Sequence, residues 1–123
     1  MERIEIKIKK VSYKILIAKD LQDWKEGLKG NKLDSCDGLL MVFPDKRPIN
    51  ITMTDMLYDL DIFWIDNNGY ILKVLKKEPK GKEGEPYTKI LGVECQYLLE
   101  INSTKNVSDF LVVGSKINIG SYF

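Results

Sequence analysis

Between Leu60 and Leu75 the chain spells out a β-hairpin. Leu60-Asp61-Ile62-Phe63-Trp64-Ile65-Asp66 and Tyr70-Ile71-Leu72-Lys73-Val74-Leu75 are both strand-like, and Asn67-Asn68-Gly69 joins them. A turn containing Asn-Gly tolerates the positive φ that a tight hairpin demands. Upstream, Gly38-Leu39-Leu40-Met41-Val42-Phe43 is a continuous apolar run, the pattern of a strand covered on both faces. These segments set the fold class: a sheet with buried strands, which other parts of the chain have to cover.

The remaining segments extend that reading. Ile4, Ile6 and Ile8 alternate with Glu5 and Lys7, the period of a half-buried strand, and Tyr13 to Ala18 follows as a second. Asp20 is placed to cap a short helix whose apolar face carries Leu21, Trp24 and Leu28, with Gly30-Asn31 as its stop. Pro44 and Pro48 mark residues 44–48 as a loop. Ile49, Ile51 and Met53 alternate with Asn50, Thr52 and Thr54 as another strand, and residues 54–59 connect it irregularly to the hairpin. Residues 76–89, charged and punctuated by Pro79, Gly81, Gly84 and Pro86, read as a mobile solvated loop inside the domain. Cys95 to Ile101 returns to strand. Ser103 or Thr104 caps a short helical turn reaching Asp109 to Leu111, and Lys116 to Ile119 forms a last strand. Seven or eight short strands with one or two short helices predict an α+β, mostly β domain. The expected architecture is a small closed or nearly closed antiparallel β-barrel.

Composition narrows the function classes. At 123 residues, 44% hydrophobic and 30% charged, the chain is one globular domain spanning 1–123 with enough material for a core. Lys and Arg number 19 against 18 Asp and Glu, so the basic surplus that nucleic-acid binding usually needs is missing. No apolar run reaches the roughly 18 residues of a membrane span. Met1-Glu2-Arg3-Ile4-Glu5-Ile6-Lys7 does not read as a signal peptide, which gives the expectation of a cytoplasmic or virion location. Cys36 and Cys95 lack a CxxC spacing and are expected as separate thiols. The chain has no histidine, which removes the commonest general base and the commonest transition-metal ligand. No cofactor or metal is expected.

The order of segments resembles domain-of-unknown-function family 192. The resemblance is carried by Ile15-Leu16-Ile17-Ala18, Gly27-Leu28, Gly38 to Phe43, Leu60-Asp61-Ile62-Phe63, Gly69, Tyr97-Leu98-Leu99-Glu100-Ile101 and Val113-Gly114, and covers about residues 13 to 119. It implies a compact β-barrel-like domain, common in exported bacterial proteins, with no established activity. The chain departs from the family's polar pattern. Lys29 replaces the methionine of Gly-Leu-Met, and Asn31 stands where an arginine is frequent. Ile51-Thr52-Met53-Thr54-Asp55-Met56 keeps only the methionine of Phe-Trp-Met-Lys-Asn-Thr. Asp59 replaces the proline before Leu-Asp, and Gly114-Ser115 the late Gly-Asp. A ligand site built on those positions in relatives is implied to be lost or altered here.

Candidate sites follow from the remaining polar residues. Asp61 and Glu100 each interrupt an apolar strand. Either both are structural hydrogen-bond acceptors, or they meet and, with Asp55, form an acidic pocket. Trp64 lies in a strand apolar on both faces, so one face is either core or a contact surface; Tyr122 and Phe123 form an aromatic tail suited to docking. Two functions are expected from these features. The first is a non-catalytic binding or assembly module, with a phage virion or assembly component as one form. It would act through a protein partner or self-association at Trp64, Tyr122 and Phe123. The second is a small-molecule- or carbohydrate-binding domain, hydrolytic in its strongest form, using Asp55, Asp61 and Glu100.

Overall fold

The computed structural model describes residues 1–81 and 89–119. Six strands form one sheet in the order β1-β2-β3-β6-β4-β5. They are β1 (Glu2–Ile8), β2 (Val11–Ala18), β3 (Gly38–Pro48), β4 (Leu60–Ile65), β5 (Ile71–Glu78) and β6 (Glu94–Asn102). A single α-helix, α1 (Leu21–Glu26), lies between β2 and β3. The fold is mostly β, as the sequence indicates, but the sheet is mixed and does not close into a barrel. Two observations make the correction. β2 and β3 run parallel, pairing Ile15 with Gly38 and Ala18 with Met41, and β1 and β5 stand at opposite edges of the order. A parallel neighbour requires a crossover, and the segment carrying α1 supplies it.

Both faces of the sheet are covered, which is why β4 is buried at every residue. Leu39, Met41, Leu60, Ile62, Trp64 and Leu98 face a layer formed by Leu28 below α1, by Leu33, and by Ile49, Ile51, Met53 and Met56. On the other face Ile15, Leu40, Phe63, Leu99 and Ile101 pack beneath Val107, Leu111, Ile117 and Ile119. The sheet is thus the middle of three layers, and both covers are largely irregular chain.

Local chemistry explains most boundaries. Asp20 caps α1, its Oδ1 accepting from the Asp23 backbone N–H at 2.9 Å. The helix ends at Gly27, φ 51°, three residues before the expected stop, and Leu21 remains exposed while Leu28 is buried. The hairpin turn is closed by Asp66, whose Oδ1 accepts from the N–H groups of Asn68 and Tyr70, with Gly69 at φ 90°. Two short 3-10 turns, Ser103–Lys105 and Val107–Asp109, replace the expected helical turn, and Asn102 rather than Ser103 or Thr104 supplies the first cap.

Three segments differ from the sequence reading. β3 runs on through Pro44 to Pro48, because its register with β6 shifts between Val42 and Arg47 and the irregularity takes a proline without losing a ladder donor. Residues 49–53 make only an isolated bridge, Ile51 with Ile90, although Ile49, Ile51 and Met53 are buried as their alternation implies. Residues 116–119 likewise contribute one bridge, Tyr70 with Lys116. The charged segment begins later than expected, since β5 includes Lys76, Lys77 and Glu78. Residues 82–88 of that segment lie outside the described residues.

Candidate functional site

Asp61 and Glu100, the two carboxylates set into apolar strands, point to opposite faces of the sheet. In the β4–β6 register Asp61 is opposite Ile101, and Ile62 is opposite Glu100. Side chains alternate along a strand, so neighbours in the same register share a face and Asp61 is turned away from Glu100. The acidic pocket expected from Asp55, Asp61 and Glu100 therefore does not assemble. Asp55 is exposed at a turn, at φ 64°.

Asp61 is fully buried and has fixed partners. Its Oδ1 accepts from the Lys77 N–H at 2.8 Å and its Oδ2 from the Ser108 N–H at 3.3 Å. It ties the β5 end of the sheet to the second 3-10 turn, the role of a structural anchor.

Glu100 is only 4% exposed, and among the described residues no hydrogen bond or ion pair reaches its carboxyl. Burial alone pushes its carboxyl up to about 7, well above the ordinary 4.5. The side chain lies on the α1 face, opposite Leu39 of β3 and Ile62 of β4, and borders a cleft of about 510 Å³. The cleft is walled by Trp24, Met41, Phe43, Ile49, Ile51 and Met56, and Lys25, Glu26 and Lys29 stand exposed at its mouth.

The aromatic wall is held in place from several sides. Trp24 and Phe43 lie with ring centroids 4.6 Å apart and planes inclined at 32°. The Trp24 indole N–H donates to the Ala18 carbonyl at 3.0 Å, which anchors α1 to the end of β2. Arg47 sits 5.4 Å from the Trp24 ring and 5.1 Å from the Phe43 ring, and its guanidinium is gripped by Asp45 at 2.6 and 2.9 Å. On the floor side the Trp64 indole donates to the Ile49 carbonyl at 2.8 Å and holds residues 49–53 over the sheet. Gly92 is required beside it, because a Cβ there would fall 1.9 Å from the Ile49 oxygen and 2.1 Å from the Trp64 indole nitrogen.

Trp64 is thus core. It is fully buried, and as a partner-contact residue it is corrected by that burial. Tyr122 and Phe123 lie outside the described residues. Sequence reasoning singled out Glu100 but placed Trp24 only on the apolar face of a short helix, and it missed Met41 and Met56 as cleft residues. They become one site only because residues 49–56 fold back over β3, for which periodicity gives no signal.

Other chemistry-bearing groups are accounted for. Cys36 and Cys95 are separate buried thiols, as expected, and burial pushes Cys95 up to about 11, far from a reactive thiolate. A polar hollow around Asp37 is already occupied by its own contacts: Asp37 accepts from the Lys14 N–H at 2.7 Å and pairs with Lys105 at 3.2 Å. Among the described residues, no group of three or more acidic or cysteine side chains is placed to hold a metal ion, and no helix is long and apolar enough to cross a membrane.

The match that places this chain among known proteins spans nearly all of it: the family model of DUF192, Uncharacterized ACR, fits residues 4–119. The chain belongs to the DUF192 family. No curated protein matches it. Two crystal structures share the DUF192 chain's fold. One is of a proposed transcription regulator from Sinorhizobium meliloti 1021, 20% identical, with a TM-score of 0.74 and coverage of 94% of this chain and 91% of that one. The other is of a protein of unknown function from Novosphingobium aromaticivorans DSM 12444, 13% identical, with a TM-score of 0.73 and coverage of 94% and 83%. At these identities the likeness concerns the DUF192 architecture alone.

Proposed function

We propose that this protein is a non-catalytic binding module that holds a small, largely apolar molecule in the cleft beneath α1. The observation that carries this reading is Glu100. A carboxyl this deeply buried ordinarily finds a partner, because a buried polar group without one costs about 1–3 kcal/mol. Here no partner is found among the described residues, and the carboxyl borders a preformed cavity within the size range of small-molecule sites. Apolar walls with one convergent polar group are the ordinary composition of such sites. Glu100 is the one buried carboxyl of the cleft, the other, Glu26, standing exposed at its mouth, and that lone interior acid favours binding over hydrolysis.

The alternative, an assembly module acting through a protein partner, keeps only Tyr122 and Phe123 of its three expected contact residues, since Trp64 is buried. The test is a fragment screen by NMR on the full chain with labelled methionine methyls. Apolar molecules carrying one polar group are expected to shift Met41 and Met56 and the Trp24 indole signal. Filling the cleft with Ile51→Trp is expected to abolish those shifts. Hits that map elsewhere, or that persist in a folded I51W protein, would sink the reading.

A further inference from the structure

We propose that the molecule taken by the cleft is an organic cation, a primary or secondary amine on an apolar body, whose ammonium group sits on Glu100. This rests on the cleft reading above and goes on to the ligand's chemistry.

Charge and donor supply limit what the cleft can take. Of the cleft's polar side chains, Glu100 is the one that is buried; Lys25, Glu26, Lys29 and Asn50 stand exposed, and Thr52 is half-buried. Thr52 is already engaged with Thr54 at 2.8 and 3.1 Å, and Asn50 accepts from the Gly92 N–H at 2.9 Å. The Trp24 and Trp64 indole N–H groups are likewise committed, to Ala18 and Ile49. The interior therefore offers an acceptor and no free indole donor. A ligand carboxylate or phosphate would meet Glu100 without a buried cation to balance it, since Lys25 and Lys29 lie at the mouth. A ligand carbonyl would require Glu100 to stay protonated as its donor.

An ammonium group matches what remains. It donates to the carboxylate through charge-assisted hydrogen bonds, stronger than neutral ones. The surrounding wall is soft and polarisable: the rings of Trp24 and Phe43 and the thioethers of Met41 and Met56. The same two rings already carry the Arg47 guanidinium, so they serve as a cation platform within this molecule. The buried carboxyl, raised by desolvation, would ionise when the ammonium arrives, and the charged groups around the cleft are Lys25, Glu26 and Lys29 at its mouth and the Arg47–Asp45 pair on its aromatic wall. No proton leaves the ligand; the carboxyl gives its own to solvent.

A matched series on one skeleton tests this: 3-phenylpropylamine, 3-phenylpropanol and 3-phenylpropionate, titrated into the full chain near neutral pH. Methionine-methyl shifts provide the readout, with the Glu100 carboxyl-carbon signal followed in carbon-13-labelled protein. The amine is expected to bind about tenfold or more tighter than the alcohol, with the propionate weakest. Adding the amine should also move the Glu100 carboxyl signal to its ionised position. In Glu100→Gln the amine is expected to lose about tenfold while the alcohol changes little. The wild-type comparison of amine with alcohol stands whether or not that variant folds. Equal binding of the three compounds, or a Glu100 signal that ignores the amine, overturns the cation and leaves the cleft reading in place. No binding of any of them at the Met41 and Met56 methyls overturns both.

Discussion

Asp61 and Glu100 are two buried carboxylates on adjacent strands, one residue out of register and facing opposite ways. Asp61 is held by two backbone N–H donors that belong to distant segments. Glu100 is held by nothing among the described residues and borders a cavity. The same chemical group therefore stands in two different environments within one sheet, and the partners distinguish them. A buried carboxylate held by two backbone donors is part of the architecture; one without a partner among the described residues, beside a cleft, is the basis of the binding proposal.

The contrast breaks first at Asp61. Asp61→Ala strands the N–H groups of Lys77 and Ser108 and should cost about 4 kcal/mol in urea unfolding. A loss below about 1 kcal/mol would show that the anchor is dispensable and the contrast false. Glu100→Gln should act in the other direction and depend on pH. The folded carboxyl titrates near 7 against an ordinary 4.5, so between those values the native state binds the proton that the unfolded chain has released. Stability then falls as pH rises through this window, and it does so by roughly 3 kcal/mol. The variant should match the wild type near pH 4 and exceed it by about that amount near pH 8 in paired denaturation curves. A wild type whose stability is flat across the window would remove the buried acid from the account.

The two tryptophans sharpen the same comparison. Trp64→Phe orphans the Ile49 carbonyl and opens the floor, an expected loss of about 2 kcal/mol, whereas Trp24→Phe on the half-open wall should cost about 1 kcal/mol. Equal losses would mean that the cleft wall is as rigidly built as the core. The smallest effect belongs to Ser108, whose backbone N–H donates to Asp61 while its buried hydroxyl has no partner among the described residues. Ser108→Ala should be neutral or stabilising by up to about 1 kcal/mol in thermal unfolding. A clear loss would reveal a partner for that hydroxyl.

Much of this was legible before the structure. The hairpin about Asn68-Gly69, the Asp20 cap, the buried β3 and β6 runs and the solitary carboxylates at 61 and 100 all follow from short-range pattern. What was not legible depends on register between strands far apart in the chain. Asp61 and Glu100 look alike as sequence, and whether they converge or diverge is decided by a single residue of offset between β4 and β6. The barrel failed for a related reason: alternation marks strands but says nothing of whether the first and last meet. Pro44 misled because the bulged stretch between Val42 and Arg47 tolerates what a regular ladder excludes, and Pro48 because it stands at the very end of β3.

The position of β6 has a consequence for how the molecule comes into being. β6 pairs with β3 on one side and β4 on the other, yet it is the last strand to be made. Until residues 94–102 have been synthesised, nothing can pair β3 with β4, and the groups β1-β2-β3 and β4-β5 each lack the neighbour that satisfies one edge. Joining them demands long-range pairing, which is slow compared with local structure formation. Glu100 travels on the strand that joins them. The step that completes the fold is therefore also the step that delivers the carboxyl to the cleft, and a nascent chain has no site until it has a whole sheet.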